Sequence, residues 1–96
     1  MTRQFSKSGA IVERKIRDEH LLVPIMRSEA TLDSFFVLNE TARFIWTRAT
    51  AGQSEEDIAA ALAAEFDASP AEAADDTRRV LDELLSLGAL QLKGGA

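Results

Sequence analysis

The hydrophobic period of this chain changes once, at Asn39. Before Asn39, short apolar runs are rich in β-branched and aromatic residues, which is typical of strands. After it, apolar residues recur every three or four positions, which is typical of amphipathic helices. A single change of this kind predicts an α+β fold, in which the strands come first and the helices pack on one side of their sheet. Ninety-six residues leave room for one such domain.

Three strands are predicted before Asn39. They are Ile11–Ile16, Leu21–Met26 and Leu32–Leu38. Pro24 cannot donate a hydrogen bond to a sheet, so it belongs at an edge, a bulge or a strand end. The connections are short, and we therefore expect an antiparallel three-stranded sheet.

Three helices are predicted after the strands, each with a side chain that can cap its first turn. The capping residues are Asn39, Ser54 and Ser69, and the run Ser69-Pro70-Ala71-Glu72 predicts a capping box with proline at the first helical position. Gly52 and Gly88 can supply left-handed residues at the ends of the first and third helices. The short extended tail after Gly88 makes the predicted arrangement similar to a winged helix-turn-helix.

The ends of the chain are predicted to be loose. Residues 1–9 are polar and predict a flexible arm, residues 10–92 form the folded domain, and residues 93–96 fray. No signal peptide and no apolar run of membrane-spanning length is present, so we expect a cytoplasmic protein that contacts no membrane.

Catalytic and metal-binding residue patterns are missing from the sequence. Cysteine is absent, which excludes disulfides, thiolate nucleophiles and iron–sulfur ligation. His20 is the only histidine and cannot form a zinc site alone, and the five glycines form no phosphate-binding loop. We therefore expect no catalytic residues, no metal and no cofactor.

The charges are divided unevenly along the chain. Residues 1–51 carry eight Lys/Arg and six Asp/Glu, whereas residues 52–96 carry three and ten. A winged-helix transcriptional regulator is one alternative function, but its third helix should be basic, and here that helix opens with Glu72, Asp75 and Asp76. An acidic adaptor that docks a basic partner is another alternative. The charge distribution predicts no nucleic-acid partner.

The third predicted helix has a wider apolar face than simple docking requires. Around Ala73, the apolar arc spans roughly 160° at 100° per residue. Leu81, Ala74 and Leu85 widen it on one flank, and Arg78 lies on its rim. This flank either packs on the strands or the tail, or it forms an apolar groove beside a sheet edge, where an extended peptide can add as a strand.

Several segments together resemble the PqqD-like family, which is named for the pyrroloquinoline quinone biosynthesis chaperone. The resemblance covers roughly residues 11–92, and its most specific part is Leu38-Asn39-Glu40-Thr41-Ala42 followed by Ile45-Trp46. The other matching segments are Leu22-Val23-Pro24-Ile25, Phe36-Val37, Gly52, Ile58 to Leu62, Glu65-Phe66-Asp67, Asp76 to Leu81, Leu84 and Gly88.

The resemblance implies a small winged-helix-like domain that is not an enzyme. Such a domain binds the leader segment of a ribosomally made precursor peptide and presents it to a modifying enzyme, such as a radical SAM protein. The leader adds to the third strand and lies against the third helix. Carried onto this chain, the implied peptide-binding residues are Thr31, Leu32, Asp33, Ser34, Phe35 and Val37 on the strand, with Ala74, Arg78, Leu81 and Leu85 on the helix.

Overall fold

A computed structural model describes residues 2–9, 11–24 and 36–93. Within these residues it contains five strands and three helices. Their bounds, in chain order, are β1 Phe5–Lys7, β2 Ile11–Ile16, β3 Glu19–Pro24, β4 Phe36–Leu38, α1 Glu40–Thr50, α2 Glu55–Phe66, α3 Pro70–Leu87 and β5 Leu90–Leu92.

The central sheet has the strand order β2-β3-β4, and both pairings are antiparallel. β2 and β3 pair along their whole length, from Ile11 opposite Pro24 to Ile16 opposite Glu19. β4 pairs with the first half of β3, and Leu38 lies opposite His20. The three helices follow this sheet, which confirms the predicted α+β, winged-helix-like fold. Pro24 is the last residue of β3, one of the positions expected for a proline.

A second, two-stranded sheet joins the two ends of the chain and corrects the prediction of a flexible arm. β1 pairs antiparallel with β5, and the side chain of Phe5 is only 1% exposed. Further backbone hydrogen bonds run from Ser8 N to Ala89 O and from Lys93 N to Gln4 O, at 2.9 and 2.8 Å. The prediction failed because a three-residue strand has too little periodicity to recognise, and its partner lies at the other end of the sequence.

The helix starts agree with the capping residues in the sequence. The side chains of Asn39, Ser54 and Ser69 accept hydrogen bonds from the backbone three residues later, and the capping box between Ser69 and Glu72 is complete. Gly88 ends α3 in the left-handed conformation, with φ 86°, as predicted. The end of α1 differs, because Ala51 is the C-cap and the left-handed Gly52 follows it.

The core lies between the helices and the inner face of the central sheet. Trp46 and Ile45 of α1, Ile58 of α2 and Leu84 of α3 are almost completely buried. Leu22 of the central sheet and Phe5 and Leu90 of the two-stranded sheet belong to the same hydrophobic cluster. No helix within the described residues is both long and apolar enough to span a membrane.

Candidate functional site

The outer edge of β4 is the first feature that a binding partner can use. In the three-stranded sheet of the described residues, β4 pairs with β3 on one side only, so its other edge presents backbone N–H and C=O groups without a strand partner. Val37 is 46% exposed, whereas Phe36 packs against the core. An extended peptide could therefore pair with this edge through backbone hydrogen bonds.

The position of β4 is determined by the junction with α1. Leu38, the last residue of the strand, is 4% exposed, and Asn39 directly after it caps the helix. The Asn39 Oδ1 atom accepts a hydrogen bond from the Ala42 backbone N–H at 2.8 Å. The Asn-Glu-Thr-Ala segment thus has a structural role, since it anchors the edge strand to a buried helix.

A pocket of about 430 Å³ lies at the end of β4, where Val37 and Asn39 face β3 and α1. His20 and Arg43 also line it, and Arg43 Nη1 lies 2.6 Å from His20 Nε2. Because a guanidinium can only donate, His20 Nε2 is the acceptor of this hydrogen bond. His20 therefore contacts Arg43 beside the strand edge, and no group of three or more side chains that could hold a metal ion occurs within the described residues.

Two of the predicted peptide-binding residues of α3 line a pocket beside the N-terminal segment. Ala74 and Arg78 line a pocket of about 260 Å³ together with Thr2, Glu55 and Ala59. This pocket lies beside the N-terminal segment and the first turns of α2. Val37 is not among the residues that line this pocket.

Arg3 links the N-terminal segment to both α2 and α3. Its Nε donates to Glu55 Oε1 at 2.7 Å, and its Nη1 donates to Asp82 Oδ1 at 3.0 Å. The hydrogen bond to Glu55 is the main reason that the pKa of Arg3 is raised above its usual value. Arg78 Nε lies 3.7 Å from the other oxygen of Glu55, and its side chain is 73% exposed. Arg78 is therefore held loosely compared with Arg3.

The other predicted site residues differ in their accessibility. Leu81 is completely buried in the core, so its side chain is not part of an accessible surface. Leu85 is partly buried and packs against the same core. The predicted residues Thr31 to Phe35 lie outside the described residues. The sequence offered two explanations for the wide apolar face of α3. Neither included the pocket that Ala74 and Arg78 line together with α2 and the N-terminal segment.

The sequence reasoning also missed Arg3 and Phe5. Both lie in the segment predicted to be loose, yet Arg3 bridges two helices and its guanidinium lies 5.5 Å from the Phe5 ring centroid. The only signal in the sequence was the spacing of Arg3 and Phe5, a cation two residues before an aromatic residue. This spacing does not identify the distant helices that Arg3 contacts.

The geometry defines the class of this domain. It is a winged-helix-like scaffold in which the outer edge of β4 has no strand partner among the described residues. Residues 19–90 match the family model of coenzyme PQQ synthesis protein D, PqqD. The match runs from β3 to the start of β5, and the chain belongs to the PqqD family. No curated protein matches it.

Two solved structures share the fold along nearly the whole chain. TbiB1 in complex with the TbiA(beta) leader peptide is 26% identical, with a TM-score of 0.73, and the alignment covers 95% of this chain and 98% of that one. The lasso peptide synthetase B1 complexed with the leader peptide is 22% identical, with a TM-score of 0.77 and coverages of 92% and 98%.

Proposed function

We propose that this chain binds the leader segment of a ribosomally made precursor peptide and presents it to a modifying enzyme. The observation that carries the proposal is the accessible edge of β4 in a member of the PqqD family. A similar protein, TbiB1, binds a leader peptide. The winged-helix regulator is not favoured, because α3 begins with acidic residues where DNA phosphates would lie.

Binding occurs by strand addition to β4. Backbone hydrogen bonds provide affinity that depends little on the leader sequence, and side chains beside the edge provide specificity. Val37 is the described residue best placed to contact the leader, because it lies on the edge strand and is half-exposed. Thr31 to Phe35, together with Ala74, Arg78 and Leu85 on α3, remain predicted contacts, whereas the side chain of Leu81 is buried in the core.

The chain acts without a catalytic step of its own. Its role is to raise the concentration of the precursor near the enzyme, because a leader bound to the same assembly delivers the attached core peptide repeatedly. A radical SAM protein is one enzyme of the expected kind. Incubating the precursor with the purified chain alone should leave the peptide mass unchanged, and adding the chain to the enzyme should accelerate modification. A mass change produced by the chain alone would overturn the non-catalytic role.

The strand edge can be tested with Val37→Glu. We expect this variant to bind a fluorescently labelled leader at least about tenfold more weakly, since a carboxylate disrupts apolar contacts beside the added strand. Leu92→Glu is the matched control, because Leu92 is 56% exposed and lies on β5 of the other sheet. Equal affinities for Val37→Glu and the wild type, measured by anisotropy, would contradict binding at β4.

The leader should also change the amide resonances of Phe36, Val37 and Leu38 in a titration followed by nuclear magnetic resonance. Large shifts at Ala74 and Arg78 in addition would support the predicted contribution of α3. Shifts confined to α2 and β5 would contradict the proposed site.

A further inference from the structure

The central sheet has a second accessible surface, on the side away from the helices. In antiparallel pairing, residues directly opposite one another lie on the same face. Leu22 and Leu38 are buried and define the inner face. The alternate residues define the outer face, which consists of Val12, Arg14 and Ile16 from β2, Glu19, Leu21 and Val23 from β3, and Val37 from β4.

This outer face is apolar and incompletely covered. Ile16 and Val37 are 53% and 46% exposed, which makes them two of the three large apolar side chains that are most exposed among the described residues. Val12, Leu21 and Val23 are half-buried. A sheet face of this kind normally packs on another layer of structure, so the five apolar residues indicate an interaction surface.

A single cation lies among these apolar residues. Arg14 of β2 lies directly opposite Leu21 of β3 on the outer face, and its side chain is exposed. Within the described residues, no carboxylate forms an ion pair with Arg14. Glu19, at the start of β3, is the one acidic residue among the described residues of this face, so a complementary surface would be apolar, with a carboxylate opposite Arg14 and a cation opposite Glu19.

The size of the face helps to identify its occupant. Six residues on each of two strands, with a shorter third strand, span about 20 Å by about 14 Å, or roughly 300 Å² in projection. A stable self-association usually buries about 800 Å² on each partner. The outer face is therefore too small to hold a second copy by itself, but it suits a partner that is also tethered in another way.

We infer that the outer face docks the modifying enzyme, through an apolar patch on the enzyme that carries an acidic side chain. This inference rests on the proposed leader binding. Val37 belongs to both the outer face and the edge strand, so an enzyme on this face lies directly beside the bound leader. The leader tethers the two proteins, and a weak interface is then sufficient because the second contact becomes intramolecular.

The test uses a double variant that changes the face and spares the leader edge. Arg14→Glu with Ile16→Ser should weaken binding to the purified modifying enzyme by at least about tenfold, measured by interferometry with the precursor peptide bound to the immobilised chain. The affinity for a labelled leader should remain within twofold of the wild type. The matched control is Lys15→Glu with Leu92→Ser, because Lys15 is an exposed neighbour on the opposite face of β2 and Leu92 is as exposed as Ile16.

The outcomes separate this inference from leader binding. Unchanged enzyme affinity in the double variant, or an equal loss in the control, would overturn docking on the outer face. A wild-type dimer that the double variant converts to a monomer would show that the occupant is a second copy, and this also would overturn the inference. Failure of the wild type to bind any leader would overturn the proposed function, whereas unchanged leader binding with unchanged enzyme binding in the double variant would overturn only docking on the outer face.

Discussion

The three helices and the three-stranded sheet use their apolar side chains in opposite ways. α1, α2 and α3 turn their large apolar residues into the core, and their capped first turns are stabilised locally. The central sheet buries Leu22 and Leu38 on one face but leaves Ile16 and Val37 about half-exposed on the other. The difference indicates that the helices provide most of the large core side chains and that the sheet carries the exposed apolar side chains to which the proposed partners would bind.

The substitution with the largest expected effect on stability replaces a buried residue of α3 with a charged one. Leu81→Glu should unfold the protein, because an unpaired buried carboxylate costs on the order of 5 kcal/mol, comparable to the total stability of a small domain. The resemblance to the PqqD-like family implied that Leu81 contacts the leader, but its complete burial makes folding the property that Leu81→Glu should change first. Circular dichroism and urea unfolding measure the effect.

Two further substitutions at less buried positions serve as comparisons for Leu81→Glu. Leu85→Glu should be less damaging, since Leu85 is only partly buried, and Ile16→Glu on the sheet should change the free energy of unfolding by less than about 1 kcal/mol. If Ile16→Glu were as destabilising as Leu81→Glu, the distinction between a scaffold of helices and a sheet with a free face would be wrong.

The second test asks whether the N-terminal strand belongs to the scaffold. Phe5→Ala should lower the free energy of unfolding by about 3 kcal/mol, because it leaves a cavity where a ring is 1% exposed. Leu92→Ala, at the paired but exposed position, should cost less than about 1 kcal/mol. Similar unfolding midpoints for Phe5→Ala and the wild type in urea would show that β1 contributes nothing to the folded domain.

A smaller effect is expected from the cap of α3. Ser69→Ala removes the hydroxyl that accepts the Glu72 backbone N–H at 3.1 Å, and we expect a loss of about 1 kcal/mol. Leader affinity should not change, because the cap lies outside the strand edge. A loss of leader affinity without a loss of stability would show that the start of α3 contacts the peptide directly.

The smallest effect is expected at Arg3, whose bridges are partly exposed to solvent. Arg3→Ala should cost no more than about 1 kcal/mol, because solvent screens both ion pairs. The raised pKa means that the charged guanidinium stabilises the fold at every pH below its ordinary value, and that this contribution is lost only as pH rises through the folded pKa. The stability difference between the wild type and Arg3→Ala, measured by thermal melting, should therefore stay constant between neutral and mildly alkaline pH.

Local features were the most predictable part of this protein. β2 has the predicted bounds, and Asn39, Ser54 and Ser69 cap the three helices, because a strand pattern and a capping hydroxyl or amide act within a few residues. The wide apolar face of α3 was also visible in the sequence. The element that packs on this face could not be predicted from the sequence. A helical wheel gives the direction of a side chain but not the element that the side chain contacts.

The sequence by itself determined the α+β order, the positions of the helix starts and the absence of cysteine chemistry, since each depends on residue type and short spacing. Only the tertiary structure decided that Phe5 joins the core, that Arg3 bridges α2 and α3, and that Ala74 and Arg78 line a pocket with the start of α2. The physical reason is that these contacts join residues about 20 to 80 positions apart in the chain, and such pairings leave no periodic signal in either partner.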